Sequence, residues 1–267
     1  MTSPPNAADL YFFHIPKTAG MSVWKAIDAA YPPDSICPYW LWDQLIEAPK
    51  SDLERYRVFR GHFYGFLEPY LGRTLPKFTI LRDPVERTVS YYSYIRGLPE
   101  HPNYQHARTL TLPQFCLHPE TRYLVENYQA GYLATFSRTK NPAEIAAAFT
   151  PEQRRQHLFQ AALEPRTAGL DERSLALAAR EGLRRFLAVG ICERLEQSMH
   201  LIGRALGRTL QLPPQRENIT SGRIATHELA DEALRTIHGI TAVDRELYSE
   251  VVTTMNNSAG LMCQSAR

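Results

Sequence analysis

Between His14 and Ser22 the chain reads HIPKTAGMS, which places one lysine, one glycine and two hydroxyls in a single short turn. An apolar run, Leu10 to Ile15, stops at Pro16 just before the turn, and an amphipathic segment begins at Val23 just after it. Strand, tight turn, then helix is the layout of a phosphate cradle. The first N–H groups of a helix point outward unpaired, and the helix dipole favours an anion there. Lys17 adds a full positive charge, Thr18 and Ser22 add donors that can turn toward phosphate oxygens, and Gly20 lets the backbone come close. The turn is not the GxxxxGK[ST] nucleotide loop, because Lys17 precedes its only glycine. A solvated lysine on an ordinary strand–turn–helix corner is the alternative.

A second group lies in TILRDPVERTVSYYSYIR, Thr79 to Arg96. Arg82 leaves a strand end, and Arg87, Ser90 and Tyr94 follow at spacings that share one helix face. A planar guanidinium beside a hydroxyl is a good clamp for a phosphate monoester, since it can bond two oxygens at once. The alternative makes Glu86 and Arg87 surface charges and gives Arg82 a capping role. His62 is the third candidate, a single imidazole immediately after RYRVFRG. His101 and His106 sit in a loop and have metal-like spacing only by accident, so no metal is expected. Tyr91, Tyr92 and Tyr94 fit packing better than stacking on a ligand; Trp40 and Trp42 fit core or lid packing better than the alternative, the lining of an acceptor or adenine pocket.

The elements that must position these groups follow from pattern and punctuation. Strands are expected at Leu10–Ile15, Arg55–Gly61, Leu75–Leu81 and Phe186–Ile191. Helices are expected at Ser22–Ala30, Tyr39–Lys50, Pro84–Arg96, Ser174–Phe186, Glu193–Leu206, Thr226–His238 and Val243–Met255. Asp83 suits the N-cap and Pro84 the first turn of the third of these. Pro99 to Pro113 reads as loop, and Pro113 to Leu187 as mostly helical. Strands alternating with helices imply a parallel sheet covered on both faces, with the ligand outside the carboxyl ends of its strands. Lys17, His62 and Arg82 all follow strand ends.

The whole chain sets outer bounds. At 267 residues it fits one large domain, 1–267, with a mostly helical insertion at about 98–185. Its 44% apolar and 22% charged composition is that of a globular protein, and a net charge of +2 is too weak to suggest a nucleic-acid partner. The four cysteines are scattered without a CxxC pair, which fits a reduced compartment. No apolar run reaches the roughly 18 residues of a membrane span, so a soluble cytoplasmic protein is expected.

HIPKTAGMS and LRDPVERTVSYY resemble the two nucleotide-binding signatures of sulfotransferases that use 3′-phosphoadenosine 5′-phosphosulfate (PAPS). The likeness is closest to the carbohydrate branch typified by heparan sulfate 2-O-sulfotransferase. RGHFYGF (Arg60–Phe66), ENYQAGYL (Glu126–Leu133) and FLAVGICERLEQS (Phe186–Ser198) fit the same branch. The resemblance covers residues 11 to about 198, and it implies an α/β fold with a P-loop-NTPase-like parallel sheet flanked by helices. It implies that Lys17, Thr18, Ala19, Gly20, Met21 and Ser22 hold the 5′-phosphosulfate and that Arg82 and Ser90 hold the 3′-phosphate. His62 stands where the family's catalytic base stands, and Lys17 where charge on the bridging oxygen is neutralised. The resemblance also implies that Asn218, Thr220 and Ser221 lie in a loop, Arg216–Ser221, that closes over the nucleotide. No N-terminal membrane anchor is expected, unlike in eukaryotic members, which argues against a Golgi protein and against a polysaccharide acceptor.

The chemistry so implied is in-line transfer of a sulfuryl group from PAPS to an acceptor hydroxyl on a carbohydrate or other small molecule. Adenosine 3′,5′-bisphosphate (PAP) is the product, and no metal takes part. Such transfer asks the protein for positioning and charge stabilisation rather than covalent work. Two other classes remain open: a P-loop-type kinase, with Asp83 as magnesium ligand, and a non-catalytic nucleotide sensor. Magnesium dependence separates the first, and absence of turnover the second.

Overall fold

The computed structural model describes residues 9–138, 140–155, 158–164, 170–214 and 224–264. In chain order, β1 (Leu10–Phe13) leads into α1 (Gly20–Ala30), β2 (Val58–Gly61) and β3 (Lys77–Leu81). Next come α2 (Pro84–Arg96), α3 (Tyr128–Leu133) and α4 (Glu172–Leu183). Then follow β4 (Ala188–Ile191), α5 (Leu195–Ala205), α6 (Asp231–Ile240) and α7 (Ala242–Gln264). The four strands form one parallel sheet in the order β2-β1-β3-β4, flanked by helices. No helix among the described residues is long and apolar enough to cross a membrane.

Period-2 alternation decides which face each strand residue serves. From β1, Tyr11 and Phe13 enter a core with Trp42, Tyr64, Tyr132 and α4. Leu10 and Phe12 enter the opposite core with Val23, Ile27, Phe78 and Ile80. All four residues of β1 are buried, as expected of a strand covered on both sides. A third core forms where Val89, Tyr92 and Ile95 of α2 meet Phe115 and Ile237.

Several expected boundaries shift for identifiable reasons. The single helix expected over Tyr39–Lys50 is two, Trp42–Glu47 and Lys50–Arg55. Pro49 forces Ala48 into an extended conformation (φ −76°, ψ 138°), which breaks the run. Arg55 therefore ends a helix, and the second strand is shorter than its apolar pattern. The loop expected over Pro99–Pro113 contains the helix Tyr104–Thr109 and the start of Leu112–Leu117. Ala107 is fully buried in the third core, so burial rather than local periodicity sets that helix.

α2 occupies the expected Pro84–Arg96, and Asp83 caps it by accepting from the N–H groups of Val85 and Glu86. The start of α3 and the start of α7 cap each other. The Asp244 carboxylate accepts from Gln129 N (3.1 Å) and Ala130 N (2.7 Å), while Asn127 Oδ1 accepts from Val243 N and Asp244 N. Burial pushes the Asp244 carboxyl up to about 6. The Gln129 side chain then reaches the end of β3, where its amide accepts from Arg82 N (2.9 Å) and donates to Arg82 O (2.8 Å). Gln129 thus fixes the backbone of a candidate site residue. Gln129→Ala leaves both main-chain groups unpaired, each worth about 1–3 kcal/mol when buried. A loss of about 2–4 kcal/mol in urea denaturation is expected; an unchanged midpoint would show that water replaces the amide.

Candidate functional site

Parallel pairing brings the carboxyl ends of β1, β2 and β3 to one edge of the sheet, with β1 in the middle. The turn after β1 carries Lys17 at φ 71° and Ala19 at φ 66°, both left-handed without being glycine. Non-glycine residues pay about 1–3 kcal/mol each for such a conformation, so something must hold it. Left-handed residues alternating with an ordinary one turn successive N–H groups into one concavity, a geometry that receives anions. α1 starts directly from Ala19 with no side-chain cap and no acidic residue in its first turn. Among the described residues no side chain caps the first N–H groups of α1, at the positive end of its dipole.

Two arginines hold the turn from beneath. Arg82 donates from Nη1 to Lys17 O (3.0 Å), and Arg87 from Nε to Pro16 O (3.3 Å). Arg82 is also paired with Glu86 (3.2 Å) and lies 3.9 Å from Glu193. Arg87 is fully buried, donates to Leu124 O and lies 3.7 Å from the Tyr128 ring centroid. The shared face expected for Arg87, Ser90 and Tyr94 therefore does not form one clamp. Arg87 and Ser90 are buried, whereas Tyr94 is exposed. Arg87 is a support of the loop and not a surface charge.

The loop residues divide by what the fold already asks of them. The Thr18 hydroxyl is buried and donates to Ile15 O (2.8 Å), so it closes the turn and its proton is not available to a ligand. Gly20 keeps an ordinary negative φ and is needed for another reason. A Cβ there would lie 1.9 Å from Nε2 of His14, whose imidazole fills that space. The glycine makes room for a side chain of the protein itself. Ser22 is buried on the first turn of α1, and Met21 beside it is exposed. Lys17 Nζ stands 4.2 Å over the Tyr94 ring, so Tyr94 is a resting place for the lysine and not only packing. Asn218, Thr220 and Ser221 lie outside the described residues.

His62 follows β2 and is held on several sides. Its N–H donates to Trp40 O (2.9 Å), and its carbonyl accepts from the Gln160 amide (3.2 Å). Its Nδ1 lies 2.9 Å from His14 O. A carbonyl can only accept, so Nδ1 carries the proton and Nε2 keeps its lone pair. The ring stacks on His14 at 4.4 Å. Burial lowers its pKa to about 4, so the neutral form prevails at neutral pH. Burial also holds the His14 imidazole well below its ordinary range, helped by charge on His62 and Lys17.

Lys17, Arg82 and His62 are therefore brought to one sheet edge and linked through the chain around them. Gln129, Asp244, Gln160 and Glu193 complete the surroundings, and no local spacing announces them because their partners lie 47 or more residues away. No family model matches the chain, and no curated protein matches it. Gly20→Ala drives a methyl into the His14 ring, and overpacking of this kind typically costs about 1–3 kcal/mol. A lower thermal midpoint is expected, together with disturbed His14 and His62 imidazole resonances. A variant as stable as the parent with unmoved resonances would contradict the packing described.

Proposed function

We propose that the chain is a sulfotransferase that carries a sulfuryl group from PAPS to an acceptor hydroxyl, on a P-loop-like sulfotransferase fold. The observation that carries this reading is the pairing, at one sheet edge, of an uncapped left-handed turn bearing Lys17 with a neutral imidazole bearing a free Nε2. The turn and the start of α1 would bind the 5′-phosphosulfate through main-chain N–H groups, with Ser22 beside them. Thr18 contributes its backbone, because its hydroxyl is already committed. Arg82 with Ser90 would receive the 3′-phosphate. Arg82 would then exchange part of its contact with Glu86 for the phosphate oxygens.

The chemistry needs one charge moved and one proton taken. As the acceptor oxygen bonds to sulfur, the bond from sulfur to the bridging oxygen breaks, and negative charge grows on that oxygen. Lys17 leaves the Tyr94 face and neutralises it. The acceptor hydroxyl gives its proton to Nε2 of His62, while the His14 carbonyl keeps the ring oriented through Nδ1–H. A base with a pKa of about 4 is weak but never protonated in advance at neutral pH. A kinase reading asks Asp83 to hold magnesium, yet its carboxylate is engaged in capping α2.

Transfer of labelled sulfate from PAPS to a panel of hydroxyl acceptors, with chelator present, tests the reading. Transfer that requires magnesium points to phosphoryl chemistry, and nucleotide binding with no turned-over acceptor points to a sensor. His62→Ala should lower turnover by about 10²–10⁴-fold, the usual worth of a general base, and leave PAP binding nearly intact. The sign of the pH effect is fixed by the lowered pKa. His62 becomes protonated only as pH falls through about 4, so kcat/KM of the parent protein stays level from neutral pH to about 5 and drops below it. A limb centred near 6.5, or a variant keeping more than about a tenth of the rate, would remove His62 from the role.

A further inference from the structure

The wall beside His62 is aromatic. Trp40 stands 6.3 Å from the His62 ring and 6.1 Å from Trp24, edge to face in both cases. Trp24 in turn meets His14 at 5.7 Å. Trp42, two residues on, is fully buried, as packing predicts, but Trp40 is 38% exposed. Met21 (40%) and Tyr94 (39%) are the other large exposed apolar side chains of this edge. Part of the Trp40 indole thus stays open beside His62, where a ligand ring could cover it.

The backbone under that indole is fixed. Trp40 N donates to Gln44 Oε1 (2.9 Å), and Trp40 O accepts from His62 N (2.9 Å). The segment lies so close to Gly61 that a Cβ there would come within 2.5 Å of Trp40 O and 2.7 Å of its Cα. Next to it, Trp42 N donates to Gln160 Oε1 and Trp42 Nε1 to Phe63 O. Trp40 thus offers a broad apolar face from a rigid strap, with little freedom left to lose when a ring lies on it.

The charges nearby point the same way. Arg60 is paired with Asp28 at 2.8 Å and lies over the Trp24 ring at 4.9 Å. Lys17 rests on Tyr94. Among the described residues the wall beside His62 thus offers aromatic rings, and the guanidinium that lies over Trp24 is paired with a carboxylate. A polyanionic acceptor would find little to pair with there.

We propose that Trp40 is the specificity-determining residue on the acceptor side and that it receives an uncharged ring bearing the hydroxyl. The ring stacks on the indole and its hydroxyl faces Nε2 of His62. This deepens the sulfotransferase reading and rests on His62 as the base, but the stacking site can be measured without turnover. The probe is 2-naphthol, a planar uncharged ring alcohol, titrated calorimetrically into the protein with and without PAP. An anionic heparin-derived disaccharide serves as the contrasting probe.

Saturable binding of 2-naphthol is expected, with Trp40→Ala weakening it by about ten- to a hundredfold, the usual worth of one ring stacked on an aromatic side chain. Trp40→Phe should stay within about threefold of the parent. The disaccharide should show no binding that depends on Trp40. Naphthol that fails to bind, or binds Trp40→Ala as well as the parent, overturns the proposal, as does disaccharide binding that Trp40→Ala abolishes. PAP affinity, read in the same titrations, should be unchanged in both variants. Failure of PAP to bind at all would strike the nucleotide reading while the naphthol result still judges the stacking site.

Discussion

Everything at this edge depends on holding the turn after β1 in a conformation its residues do not favour. Lys17 and Ala19 are both left-handed, and neither is glycine. The contacts that offset the strain come from three directions. Thr18 closes the turn on Ile15 O, Arg82 draws on Lys17 O, and Arg87 draws on Pro16 O. Arg82 is itself located by Gln129, and Gln129 lies at a helix start that Asp244 of α7 caps. The shape of a six-residue loop is therefore set by a line of hydrogen bonds that ends in the last helix of the fold.

The same arrangement settles how charge is distributed. A buried guanidinium is tolerated only with acceptors around it, and Arg87 has two carbonyls and the face of Tyr128. Arg82 is balanced by Glu86 and lies near Glu193, so it is an exchangeable ion pair rather than a bare anion trap. Around His62 the opposite holds. Its neighbours His14 and Trp40 are rings, no carboxylate among the described residues is paired with it, and burial keeps the imidazole neutral. One edge of the sheet thus offers a polarised turn and an uncharged imidazole side by side, the pair that the proposed transfer from a charged donor to a neutral hydroxyl would use.

Much of this was legible in the residues, and the exceptions share a cause. β1, β3 and α2 follow from short apolar runs and an Asp-Pro start, signals carried within a few residues. The helix at Tyr104–Thr109 was not legible, because buried Ala107 rather than periodicity places it. Gly20 was visible as a glycine, but its reason was not, since the ring that needs the space belongs to His14. The helix face read for Arg87, Ser90 and Tyr94 divides, because Arg87 turns inward to the carbonyls of Pro16 and Leu124 while Tyr94 stays exposed. Gln129, Asp244 and Gln160 act through contacts that join distant stretches, and nothing in their own surroundings marks them.

The central claim is that the edge holds two separate anion sites, one at the strained turn and one at Arg82 with Ser90. Calorimetric titration with adenosine 3′,5′-bisphosphate and adenosine 5′-monophosphate tests it most directly, because the two ligands differ only in the 3′-phosphate. A charge-assisted hydrogen-bonded clamp is worth about 1.5–3 kcal/mol, so the bisphosphate should bind about ten- to a hundredfold more tightly. Equal affinities would contradict the account at Arg82, and no binding of either nucleotide would contradict it at the turn.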